Sequence, residues 1–88
     1  MSESLLIVYP HAYKHGLTES QICEAWESAD KYVKRYYADD SIDIVCIGYS
    51  AELGDYIELV AEVKDFGIGI YHANTPPTQS IREEVRYG

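Results

Sequence analysis

With 88 residues, 47% of them apolar and 25% charged, the chain has material for one hydrophobic core and lacks the low hydrophobicity of a disordered segment. A formal net charge of -8 opposes bulk attraction to nucleic acid, because that affinity grows with the phosphates that Lys and Arg neutralise. The longest apolar runs, Leu5 to Tyr9 and Ile44 to Ile47, fall far short of the roughly 20 residues that span a bilayer, and Glu3 stands where a secretory signal carries basic residues. No membrane segment and a cytoplasmic location are the expectations.

Leu5-Leu6-Ile7-Val8-Tyr9 is a short apolar run stopped by Pro10, which predicts a first strand. Pro10 suits the first position of a helical turn through His11-Ala12-Tyr13-Lys14-His15, and Gly16 closes that turn in the left-handed conformation glycine adopts at low cost. Thr18 then reads as an N-cap. Gln21, three residues on, completes a capping box, and Leu17 with Ile22 makes a hydrophobic staple. The apolar face of this helix continues through Ala25, Trp26 and Ala29, with Glu19, Glu24 and Glu27 elsewhere on its surface. Lys31-Tyr32-Val33-Lys34-Arg35-Tyr36-Tyr37 fits either an extension of the helix or a strand, and its aromatic and β-branched content favours the strand.

Asp39-Asp40-Ser41 signals a turn, and the run from Ile42 to Ile47 can pair with the preceding strand as a hairpin. A second turn contains Ser50 and Gly54. Tyr56 to Lys64 is the clearest strand, with Ile57, Leu59, Ala61 and Val63 facing the core and Glu58, Glu62 and Lys64 on the other side. Asp65-Phe66-Gly67 turns the chain into a last strand, Ile68 to Ala73, which Asn74-Thr75-Pro76-Pro77-Thr78 breaks. Ile81 and Val85 at helical spacing mark a closing helix. The order β-α-α-β-β-β-β-α describes one α+β domain over residues 1–88: an antiparallel sheet of four to five strands with helices packed on one face. Cys23 and Cys46 are isolated within apolar-patterned segments and read as small buried hydrophobes in preference to a disulfide.

Charge is unevenly spread. Asp39, Asp40, Asp43, Glu52, Asp55, Glu58 and Glu62 follow one another without a Lys or Arg between them, whereas Lys14, Lys31, Lys34 and Arg35 fall earlier. These stretches read either as solvated faces or as an acidic surface with a basic spot. The tyrosines can stack on bases, or equally bury a ring and expose a hydroxyl. His11 and His15, four apart, have the spacing of two metal ligands on one helix face, but no third ligand is placed, so no metal or cofactor is expected.

Metal-independent RNA cleavage needs a base for the 2′-hydroxyl proton, an acid for the leaving oxygen, and cations for the phosphate. His15, His72 and Lys14 are the candidates for the catalytic parts, and Lys34, Arg35 and Arg82 for binding the substrate. A structural reading stands beside each: a strand-end His72 can be a hydrogen-bonded scaffold residue, and His15 before Gly16 can satisfy carbonyls at a helix C-terminus.

Lys14-His15-Gly16-Leu17-Thr18 before an amphipathic helix, a later Ile47-Gly48, and Ile70-Tyr71-His72-Ala73-Asn74 before a terminal helix follow one another in an order that resembles the BrnT-like toxins of bacterial type II toxin–antitoxin systems. The resemblance covers most of the chain. It implies a RelE-like fold of helices on an antiparallel sheet and a ribonuclease that arrests translation. It also implies a DNA-binding antitoxin as the neutralising partner. Where this chain has His72-Ala73-Asn74, the family commonly continues into a Ser-Ala-Arg type sequence. Two function classes therefore stand: a toxin-type endoribonuclease acting on RNA, and a non-catalytic interaction module whose acidic sheet face binds a basic partner protein, with a homo-oligomer open to either.

Overall fold

A computed structural model describes residues 4–88. Strand β1 (Leu5–Val8) leads through a 3₁₀ turn (Pro10–His15) into helix α1 (Glu19–Ser28). Strands β2 (Tyr32–Tyr36), β3 (Ile42–Ser50), β4 (Asp55–Lys64) and β5 (Gly67–Asn74) follow, and helix α2 (Gln79–Tyr87) closes the chain. The sheet has five strands in the order β1-β5-β4-β3-β2.

The local signals at the first helix act as their chemistry requires. Gly16 adopts φ 83° and its N–H donates to the Tyr13 carbonyl at 3.0 Å, ending the 3₁₀ turn. The Thr18 hydroxyl accepts the Gln21 N–H at 3.2 Å while the Gln21 side chain accepts the Thr18 N–H at 3.0 Å, so two N-terminal donors are satisfied at once. Leu17, Ile22 and Ala25 are then carried onto the sheet, where they pack with Cys46, Ile57, Leu59, Ala61, Ile70 and Ala73. Burial of side chains the size of Ile22, Ile57, Leu59 and Ile70 contributes about 1.5–3 kcal/mol each. Within this core, burial pushes the Cys46 thiol up to about 12, so it is an inert apolar group. Both Cys23 and Cys46 are free thiols. The stretch Tyr32–Tyr36 is a strand, antiparallel to β3.

The sheet departs from the sequence expectation in two ways. It is mixed, not antiparallel throughout, because β1 lies parallel to β5 with Leu5 opposite Gly67 and Val8 opposite Ile70. Its helices are also not on one face. Helix α1 covers one side, while α2 covers the other through Ile81 and Val85 against Val45, Val60, Ile47 and Tyr71. The reason lies in β3 and β4: Cys46 and Leu59 point to α1, their neighbours Val45 and Val60 point away from it, and a strand apolar on both sides needs cover on both. A smaller difference is Val63, assigned to the core by alternation but 40% exposed, because it lies near the end of β4 beyond the reach of α1. Among the described residues no helix is long and apolar enough to cross a membrane.

Candidate functional site

The site forms on the α2 side of the sheet and depends on an irregularity in β5. Val60 of β4 pairs with His72, but the next residue, Ala61, pairs with Ile70, so Tyr71 is an extra residue on β5. A bulge of this kind re-aims side chains. Ile70 and Ala73 keep their places in the α1-side core, while Tyr71 and His72, adjacent in sequence, both project to the α2 side. There they line a groove of about 290 Å³ with His11, Arg35, Val60 and Ile81.

His72 is held by a buried carboxylate. Its Nε2 lies 2.6 Å from Oε2 of Glu58, a residue only 2% exposed, and Oε1 of Glu58 accepts the Thr78 N–H at 2.6 Å. Thr78 is the N-cap of α2, so Glu58 ties the strand, the histidine and the helix start together, and the positive end of the helix favours its charge. Burial pushes the Glu58 carboxyl up, but its hydrogen bonds to Thr78 and to the His72 ring outweigh burial and hold it below the ordinary carboxylate value of 4.5. An ionised Glu58 accepts from Nε2, and in the neutral ring that pairing leaves Nδ1 as the acceptor. The His15 ring stands edge-on to the His72 ring with centroids 6.0 Å apart.

A positive charge borders the groove. Arg35 donates from Nε and from its terminal amino group to the two oxygens of Glu84, each at 2.6 Å, clamping β2 to α2. This pairing raises the pKa of Arg35 and lowers that of Glu84, so both stay charged across the neutral range. The Tyr71 hydroxyl donates to Oδ2 of Asp43, which also receives the Tyr37 hydroxyl at 3.0 Å. Burial first, then the Asp43 carboxylate, pushes the Tyr71 phenol well above its ordinary range.

Of the six site residues expected from sequence, the structure brings three together: His15, His72 and Arg35. Lys14 lies on the same 3₁₀ turn, one residue before His15, but is exposed and makes no ion pair among the described residues. Lys34 pairs across the sheet with Ile44, itself opposite the α1-facing Ala61, which places it on the face away from the histidines. Arg82 donates from Nε to the Pro77 carbonyl at 3.1 Å and borders a separate groove with Ile47, Gln79 and Arg86. Sequence reasoning missed Glu58 and Tyr71. Strict alternation assigned Glu58 to a solvated face, whereas the fold-back of α2 over Val60 buries it; the unbroken apolar run Leu59-Val60-Ala61 is the signal for that second covered face.

Glu58 gives the site a pH dependence. A carboxyl whose folded pKa is depressed adds stability that is present above its unfolded pKa and is lost as pH falls through the folded value. The stability advantage of the native chain over Glu58→Gln is therefore expected to be full at neutral pH, about 1–3 kcal/mol for a charged buried hydrogen-bond acceptor, and to shrink below about pH 4.5. Urea unfolding of both proteins between neutral and acidic pH checks this; a gap that does not change with pH contradicts it.

Comparison with known proteins returns no match: no family model, no curated protein and no solved structure is similar to this chain at a significant level.

Proposed function

We propose that the chain is a toxin-type endoribonuclease that cleaves RNA without a metal, using His72 and His15 as the proton-transfer pair. The single observation that supports this most is the Glu58–His72–His15 constellation: a histidine fixed by an ionised buried carboxylate with a second imidazole 6.0 Å away. Nδ1 of His72 takes the proton of a 2′-hydroxyl, that oxygen attacks the adjacent phosphorus, and His15 protonates the departing 5′-oxygen, leaving a 2′,3′-cyclic phosphate. Glu58 orients the His72 ring and stabilises its imidazolium, as a carboxylate behind a catalytic histidine does elsewhere. Arg35, paired with Glu84, lines the groove and adds positive charge there, and Lys14 sits next to His15 on the 3₁₀ turn.

The assignment to a BrnT-like, RelE-type toxin belongs to the same proposal and rests on the resemblance of three sequence blocks; Lys14-His15-Gly16 on the 3₁₀ turn and Tyr71-His72 at the bulge meet at the histidine pair, whereas Gly48 lies on the opposite face beneath α1. A protein antitoxin is the partner this reading requires. The test is incubation of the purified, folded chain with an RNA oligonucleotide and its all-deoxy counterpart in the presence of a chelator. RNA is expected to be cut and DNA left intact, because only RNA carries the attacking hydroxyl. Failure to cut RNA, or equal cutting of both, contradicts the reading.

A further inference from the structure

Beside the histidine groove, and sharing Tyr71 with it, lies a larger cavity of about 610 Å³ whose chemistry is different. Its walls carry three phenol rings, Tyr9, Tyr37 and Tyr71, and three carboxylates, Asp39, Asp43 and Glu62. Among the described residues no Lys or Arg lines it.

The fold shapes this cavity at two points. Gly69 lies under one of its walls: a side chain there would meet the Tyr9 ring, since a Cβ would fall 2.4 Å from both Cζ and the hydroxyl oxygen. The missing side chain lets the Tyr9 ring lie against the sheet. Asp43, 9% exposed, points into the cavity from β3. Its Oδ2 receives both the Tyr37 and the Tyr71 hydroxyls, whereas its Oδ1 receives no side-chain donor among the described residues. Among those residues no side-chain oxygen is both sealed from solvent and without a partner, so Oδ1 is not sealed off and is the oxygen of Asp43 left to accept a further hydrogen bond.

Of the three carboxylates Asp43 is the most buried, and it makes no ion pair among the described residues. Arg35 is opposite Asp43 in the sheet, but its guanidinium is committed bidentately to Glu84. Lys64 stands 3.6 Å from Glu62, half exposed. A largely buried carboxylate with a vacant oxygen, ringed by aromatic faces and further carboxylates, repels phosphate and suits a planar cation that can stack and donate in one plane. We infer that this cavity is a seat for an arginine side chain of a basic partner protein, with the guanidinium donating to Asp43 Oδ1 and Glu62 and stacking on the tyrosine rings. The inference does not depend on RNA cleavage. It gives the acidic stretch from Asp39 to Glu62 a specific ligand, and an arginine seated here lies directly beside the histidine groove because Tyr71 lines both.

The test is an NMR titration of the isotope-labelled chain with Nα-acetyl-arginine methylamide, alongside the citrulline analogue, which has the same shape without the charge, and the lysine analogue. Saturable shifts are expected for the amides around Tyr9, Tyr37, Asp43, Glu62 and Tyr71 with the arginine probe, no saturation with citrulline, and weaker binding of lysine. Asp43→Asn, which keeps an acceptor for the tyrosines, and the exposed-side variant Glu62→Gln are each expected to weaken arginine binding by about tenfold. Absence of saturable shifts in the folded chain, equal binding of citrulline or lysine, or shifts centred on His15 and His72 overturns the inference. RNA cleavage is not read in this experiment, so the two proposals can fail separately.

Discussion

Replacing His72 with alanine is expected to slow RNA cleavage by about 10²- to 10⁴-fold, the range lost when a positioned proton-transfer group is removed. The size of the effect follows from the arrangement: among the described residues His72 is the one imidazole whose ring is fixed by an ionised carboxylate, with Nε2 2.6 Å from Glu58. Alanine also strips a partner from a buried charge, which can cost stability in its own right. His72→Gln separates the two effects, because a glutamine amide can still donate to Glu58 while having no titratable nitrogen. The expected pattern is a folded His72→Gln chain with the same loss of rate and a smaller loss of thermal stability than His72→Ala. His15→Ala should lose rate with little loss of stability, since the His15 side chain is exposed. Full activity in folded His72→Gln contradicts the assignment.

Gly48→Ala is expected to be strongly destabilising. A Cβ at Gly48 would lie 1.6 Å from the Ala25 carbonyl oxygen and 2.5 Å from its carbonyl carbon, both backbone atoms of α1 that cannot rotate away. Relief requires lifting the helix from β3 and opening the core beneath Ile22 and Ala25, which puts the cost at or above about 3 kcal/mol, the upper end for overfilling a dense interior. For a domain of this size that corresponds to a fall in Tm of more than about 12 °C. Gly16→Ala is the informative contrast. It meets nothing within 4 Å but has φ 83°, so its cost is conformational alone, about 1–2 kcal/mol. Thermal unfolding of the two variants should rank Gly48→Ala well below Gly16→Ala; the reverse order contradicts the close helix–strand contact.

Features governed by neighbours in the chain are legible in the sequence. The capping box at Thr18 and Gln21, the left-handed Gly16 and the turns at Asp39-Asp40-Ser41 and Asp65-Phe66-Gly67 each depend on a few consecutive residues, and each forms where those residues predict it. Features governed by distant partners are not. Nothing within Leu5–Val8 specifies that it pairs parallel to β5, because that choice depends on where the whole intervening chain returns. The bulge at Tyr71 arises from the register between β4 and β5, and it alone puts Tyr71 and His72 on one face. Without that register His15, His72 and Arg35 can be named only by residue type, and Lys34 and Arg82 cannot be told apart from them. Glu58 is hidden for the same reason: its burial comes from α2, whose N-terminus it caps from another strand.

Mapping the end groups of cleaved RNA tests the central claim most directly. Transfer of the 2′-hydroxyl proton to His72 and protonation of the leaving 5′-oxygen by His15 must leave a 2′,3′-cyclic phosphate on one fragment and a 5′-hydroxyl on the other, in chelator as well as without it. Those ends, lost together with activity in His72→Gln, are the expected result. Fragments bearing 5′-phosphates, or RNA left whole by a folded native chain, contradict it.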